Sequence, residues 1–167
     1  MKKYLLLFSL FVVTLSACNK DQFTAQKTVD DTKIQAYIKA NNLTGMTKDA
    51  ATGLYYKVLV PGTGAYPVES YTATSSTDPK TGSTIRVDYT LGFLNGQILQ
   101  QDQIISLTLN KGQSGLIDGF FFGMQHINAG GRILLLIPSA LGYGTAGTGD
   151  IPGNTCLVYT IDLLSFY

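Results

Sequence analysis

Residue types that carry most enzyme chemistry are scarce in this chain. It has one histidine, His126, and two cysteines, Cys18 and Cys156. That is too few for a zinc site of the Cys/His kind, and two cysteines cannot staple a disulfide scaffold. A hydrolytic triad would have to use His126 as its base, yet no serine stands in a Gly-x-Ser-x-Gly elbow. Gly112-Gln113-Ser114-Gly115 comes closest and lacks the last glycine. His126 therefore reads as a surface or helix-end histidine. The acidic residues number 11 and are scattered, with no pair spaced for general acid and base work. Asp88 and Asp102 read as strand-face and turn residues. Gly142-Tyr143-Gly144-Thr145-Ala146-Gly147 spells G-x-G-x-x-G, but Thr148-Gly149-Asp150-Ile151-Pro152-Gly153 follows and cannot continue a helix. A dinucleotide site needs that helix and an acidic residue about 20 positions on, for which too little chain remains. Neither a metal nor a cofactor is implied.

What remains is an aromatic set. Tyr89, Phe120, Tyr143 and Tyr159 come from different elements, with Leu116 and Ile117 close to Phe120 in sequence. A hydrophobic core accounts for most of them. Tyr143 is the exception, because it stands in a Gly-Tyr-Gly loop where a core residue is not expected. Such a set can bind and desolvate a ligand without ionising.

The elements that must position these residues are legible in outline. The chain has 167 residues, 45% hydrophobic and only 14% charged, with a formal net charge of +1. That composition excludes disorder over most of the length and offers no basic run for nucleic acid. Eighteen glycines, ten tyrosines and eight phenylalanines favour a turn-rich, strand-rich domain.

Residues 1–17 read as a signal peptide. Lys2 and Lys3 precede an apolar run from Tyr4 to Leu15, which is shorter than the roughly 20 residues needed to span a bilayer. Leu15-Ser16-Ala17-Cys18 resembles the bacterial lipobox. The resemblance implies cleavage before Cys18, lipid on its sulfur and an exported, membrane-anchored protein. Asn19 and Lys20 carry no sign of inner-membrane retention, which points to the outer membrane of a double-membraned bacterium. Cys156 is then left as an unpaired, packed thiol.

Residues 18–53 read as a tether and short helix. Asn19 to Lys27 is polar, and a helical pattern runs from Thr28 to Asn42. Ile34, Tyr37 and Ile38 form its stripe, Asp30 and Asp31 its first turn and Lys39 its last. Too short to be stable alone, this helix is expected to pack on the main domain rather than to form a dimer. Residues 54–81 read as a leading strand, Leu54 to Val60, followed by an exposed Ser/Thr/Pro-rich loop at 67–82.

Residues 82–167 form the compact part. Ile85, Val87 and Tyr89 alternate with polar residues, Asn95-Gly96 marks a turn, Gln97 to Gln100 resumes, and Ile105, Leu107 and Leu109 alternate again. Asp118 is expected to cap a short helix with Phe120, Met124 and Ile127 on one face, ended by Gly130-Gly131. Arg132 to Ile137 and Thr155 to Leu164 are the last strands, with Leu157, Tyr159, Ile161 and Leu163 on one face. The expected fold is α+β: a curved antiparallel sheet wrapped around one short helix, with an N-terminal helical extension.

These pieces resemble the FKBP-type peptidyl-prolyl cis-trans isomerases, in the form of bacterial lipoproteins. The match is carried by Val87-Asp88-Tyr89-Thr90, Asn95-Gly96, Leu116-Ile117-Asp118-Gly119-Phe120, Gly130-Gly131-Arg132, Ile137-Pro138, Leu141-Gly142-Tyr143-Gly144, Ile151-Pro152 and Leu157-Val158-Tyr159, in the family's order. The resemblance implies a rotamase without cofactor or metal, acting on proline-containing peptides or unfolded proteins. By the same match, Tyr89 walls the pocket, Phe120 is its floor and Tyr159 closes it from the last strand. The Tyr143 hydroxyl and the Ile117 N–H take substrate carbonyls. Leu99, Ile105, Leu116 and Ile151 complete the substrate contacts.

Two features depart from the family pattern. Leu99-Gln100 stands where the family usually has Phe-Asp, so Gln100 keeps hydrogen bonding without charge. Phe121 and Phe122 replace frequently polar residues and are expected to cover the N-terminal helix, with binding of a client as the alternative. The alternative to the isomerase is a catalytically weak binding module or chaperone of the same fold.

Overall fold

The computed structural model describes residues 23–63, 84–109 and 115–166. The signal peptide, Cys18 and the loop at 67–82 lie outside the described residues.

The first element, α1, covers residues 23–40, so it begins at least five residues earlier than the hydrophobic stripe suggested. Five residues expected in the polar tether, 23–27, are helical. Its end follows from one residue. Asn42 takes φ 51°, which lets the Leu43 N–H reach back to the Ile38 carbonyl at 3.0 Å, a C-terminal cap of the Schellman kind. No helix among the described residues is long and apolar enough to cross a membrane.

The strands are β1 (Thr47–Lys48), β2 (Tyr55–Val60), β3 (Thr84–Phe93), β4 (Ile98–Thr108), β5 (Arg132–Ile137) and β6 (Leu157–Phe166). They pair antiparallel in one sheet of order β1-β2-β5-β6-β3-β4. The central strand β5 is covered on both sides. Ile133, Leu135 and Ile137 join the main core, while Leu134 and Leu136 belong to a second cluster. This double burial accounts for its almost unbroken apolar sequence.

The main core fills one face of the sheet and includes α2 (Asp118–Gly123), whose Phe120 and Phe121 are buried. On the other face, Ile34 of α1 packs with Tyr55, Leu136 and Cys156, joined by Tyr37 and Ile38. The N-terminal helix therefore docks on its own domain, as expected. Phe121 and Phe122 do not cover it: Phe121 lies in the main core with Phe122 packed against that core, whereas α1 contributes to the cluster across the sheet.

Around α2 the sequence expectations need three corrections. Asp118 is not its cap. Ile117 holds the N-cap position with extended φ/ψ and no side-chain cap bond, while Asp118 sits in the first turn, where a carboxylate favours the helix dipole. The helix ends at Gly123 in a 3-10 turn, Met124–His126, well before Gly130-Gly131, which instead leads into β5 with Gly130 at φ 77°. The two short runs seen before α2 are one long strand, β4, broken in periodicity by bulges. Phe120, Met124 and Ile127 are all buried, as their spacing required.

Glycine spacing explains how α2 seats. Gly119 and Gly123 are four apart on one helical face, and a Cβ on either would overlap the side chain of Ile137 or Leu135 on β5. Leu135 is fully buried, so its side chain would have to shift within the packed core. Gly123→Ala should therefore lose about 1–3 kcal/mol by overpacking, against the usual helix gain of alanine over glycine of about 1 kcal/mol. Denaturant unfolding is the check, and a stabilised variant would show that α2 does not depend on this close approach.

Candidate active site

A concave pocket of about 180 Å³ opens where β3, β4 and β6 meet the start of α2. Its floor is Phe120, set edge-on to Tyr159 at 5.9 Å between ring centroids and 85° between planes. Tyr89 tilts against the same Tyr159 ring at 5.7 Å and 37°. Tyr143 comes from the loop after β5, and Leu116 and Ile117 from the segment that leads into α2. Ile105 closes the wall on β4. Tyr143, Leu116 and Ile117 also border a second groove of about 270 Å³, shared with Asp118, Ala140 and Gly142.

Register decides which side chains of β4 reach the pocket. Tyr89 pairs with Gln103 and Leu91 with Gln100, so β4 carries one extra residue between them. Asp102 has φ 50° within that extra stretch, a left-handed turn of the chain typical of a bulge. Without the bulge, alternation would put Gln100 on the opposite face. With it, Gln100 lines the pocket and its Oε1 accepts the Tyr89 hydroxyl at 2.8 Å. Asp102 is thus a bulge residue within a strand and not a turn residue.

Eight of the ten expected contact residues, Tyr89, Gln100, Ile105, Leu116, Ile117, Phe120, Tyr143 and Tyr159, line this pocket. Leu99 and Ile151 do not. Leu99 falls in a second one-residue shift of β4 and packs on the core, and Ile151 is 8% exposed within the core cluster. Leu107 and Gly115 are walls that were not expected. The Ile105-Leu107-Leu109 alternation already placed Leu107 on the right face, so a signal for it existed.

The chemistry available here is binding and desolvation. Burial, with the Tyr143 and Tyr89 phenols beside it, holds the Tyr159 phenol far above its usual 10.0. Burial and then Tyr143 raise Tyr89 as well. Both phenols stay neutral in any ordinary buffer. The Ile117 N–H donates to no acceptor among the described residues, which leaves one backbone donor for a ligand carbonyl. His126 is elsewhere. Its ring stacks on Tyr56 at 3.9 Å and 8°, and burial lowers its basicity against a small opposing pull from Asp49. No cluster of His, Cys, Asp or Glu able to hold a metal occurs among the described residues.

Comparison with known proteins agrees with this geometry. A family model described as FKBP-type peptidyl-prolyl cis-trans isomerase matches residues 75–164, more than half of the chain and every wall of the pocket. The chain belongs to the FKBP family. Escherichia coli FkpA, an FKBP-type peptidyl-prolyl cis-trans isomerase, is 32% identical over 70% of this chain and 39% of its own length. The Aeromonas hydrophila FkpA is 29% identical over 92% of the chain and 51% of that relative. This FKBP chain thus spans about half or less of the curated relatives it matches. The crystal structure of E. coli FkpA superposes with TM-score 0.64 at 26% identity, covering 95% of this chain and 71% of that one. A Pseudomonas syringae peptidyl-prolyl cis-trans isomerase superposes with TM-score 0.63 at 26% identity, covering 85% and 93%.

The buried phenol can be read directly. In an ultraviolet absorbance titration of the folded FKBP chain, the most resistant tyrosine should ionise only as the protein unfolds in alkali, and Tyr159→Phe should remove it. Full, reversible ionisation of Tyr159 near its ordinary 10.0 would show the pocket to be wet.

Proposed function

We propose that this chain catalyses cis-trans isomerisation of Xaa-Pro peptide bonds, as an exported lipoprotein that assists folding of extracytoplasmic proteins. One observation carries the catalytic reading: Tyr89, Phe120, Tyr143, Tyr159 and Ile117, spread over 71 positions of sequence, converge on one aromatic-lined pocket. Rotation about Xaa-Pro faces a barrier of about 18–20 kcal/mol from amide resonance. No bond to an outside group forms or breaks, so no nucleophile or cofactor is needed.

The twisted amide has lost conjugation, so its carbonyl is less polarised and its nitrogen more basic. A dry aromatic pocket disfavours the dipolar planar form, which water stabilises, relative to the twisted one. That difference is transition-state binding. With the prolyl ring held by Phe120, Tyr89 and Tyr159, the Tyr143 hydroxyl and the Ile117 N–H fix the flanking carbonyls and so restrict the motion to the one bond. Gln100, already engaged by Tyr89, contributes a neutral wall.

Isomerisation of short Xaa-Pro peptides by the purified full chain tests this. Wild type should accelerate the exchange, with a rate nearly flat between about pH 6 and pH 8 because no proton is transferred. Tyr143→Phe should lower kcat/KM about 3- to 10-fold, the size of one hydrogen bond. A wild type without acceleration, and a gain in Gln100→Asp, would turn the assignment to a binding module that has kept its pocket.

The membrane half of the proposal rests on Leu15-Ser16-Ala17-Cys18. Expressed in a double-membraned bacterium, the chain should incorporate labelled fatty acid and sediment with the outer membrane. Cys18→Ala should lose the label and the sedimentation together. Label-free wild type would remove the anchor and leave the isomerase reading untouched.

A further inference from the structure

We propose that Asp30 of α1 is a positioning residue for Tyr143, through which the N-terminal helix sets the geometry of the pocket from the opposite face of the sheet. The kinetic part of this proposal rests on the isomerase reading; the structural part does not.

Asp30 is 1% exposed, and neither described ion pair, Lys48–Asp31 nor Arg132–Asp162, includes it. Its carboxylate is held by hydrogen bonds alone. Oδ1 accepts the Gln26 side-chain N–H at 2.7 Å. Oδ2 accepts two donors from one residue 109 positions away, the Ser139 backbone N–H at 2.8 Å and the Ser139 hydroxyl at 2.6 Å. A single oxygen thus fixes both the main chain and the side chain of Ser139.

Ser139 in turn holds the turn that presents Tyr143. Its carbonyl accepts the Gly142 N–H at 3.0 Å and the Gly144 N–H at 2.8 Å, the residues on either side of Tyr143. The far side is tied by the Asn154 N–H on the Gly144 carbonyl at 2.7 Å. Gly144 has φ 60°, so the chain bends sharply just after Tyr143. The path from Asp30 to the tyrosine is therefore two hydrogen-bonded steps with no flexible side chain beyond Ser139.

A carboxylate is an expensive way to dock a helix. Ile34, Tyr37 and Ile38 already supply the apolar contact, and Asp31 ties the same turn of α1 to Lys48 and to the Tyr55 hydroxyl. An apolar residue at position 30 would dock α1 without desolvating a charge. What Asp30 adds is orientation of Ser139. The Cys156 thiol is a further donor to Asp30: burial, then the Asp30 charge and this hydrogen bond, push it up to about 12, so it stays protonated and sits in the same buried cluster.

The test uses the full chain with Asp30→Ala, Asp30→Asn and Ser139→Ala. Amide hydrogen exchange at Gly142 and Gly144, read by NMR, reports the clamp whether or not peptide is turned over. Asp30→Ala strands two buried donors on Ser139, so exchange at those amides should rise about tenfold while Leu135 and Ile161 are unchanged. Its kcat/KM should fall about fivefold, and Asp30→Asn, which keeps an acceptor facing Ser139, should recover most of both. In a Tyr143→Phe background the Asp30→Ala loss should nearly vanish, because the group it positions is gone. Full additivity, or unchanged exchange at Gly142 and Gly144, would overturn the proposal. If Asp30→Ala does not fold, Ser139→Ala decides: a partial rise in exchange supports the clamp, and none refutes it. Absence of turnover in wild type would defeat the isomerase reading while the exchange measurement still settles the clamp.

Discussion

Burial of β5 on both faces is the constraint on which the rest of this molecule depends. Arg132–Ile137 runs through the sheet between β2 and β6 and feeds alternate side chains into two separate clusters. Each fully buried leucine or isoleucine there is worth about 1.5–3 kcal/mol by removal from water. That gain exists only if both faces are covered, α2 on one and α1 on the other. The N-terminal helix is thus part of the folded unit, although the family match begins only at residue 75. The two glycines of α2 belong to the same constraint, because they allow the helix to reach β5 closely enough to exclude water.

The pocket is the point at which the main core is left open. Phe120 and Tyr159 are core residues by burial, at 4% and 6% exposure, while Tyr89 and Tyr143 are only half-buried. The site is therefore a rim of the hydrophobic core, and its preorganisation comes from the same packing that stabilises the fold. This suits a reaction that needs a dry, shaped surface and no titrating group. Most of the side chains that line the site are of the types a core would contain in any case.

Local signals made much of this legible. Strand periodicity located β2, β3, β5 and β6 to within a few residues, and the i, i+4, i+7 spacing of Phe120, Met124 and Ile127 placed the buried face of α2. Errors gathered where local rules compete. Asp118 is a favoured capping residue, yet Ile117 caps α2, because the backbone entering from the pocket wall sets the helix start. Phe121 and Phe122 looked available to cover α1, but a helix docked across the sheet is out of their reach. The polar start of α1 looked like a tether because its helical residues before Thr28 bury little.

The sequence by itself determined the types of most elements and the aromatic set, since these depend on residue identity and on neighbours within a turn or a strand. Only the tertiary structure decided that the bulge at Asp102 keeps Gln100 on the pocket face, that α1 and α2 occupy opposite faces, and that Asp30 meets Ser139. A bulge flips a strand's facing through one extra residue that periodicity cannot locate. A contact across 109 positions is set by how the sheet closes between them, and no local spacing records it.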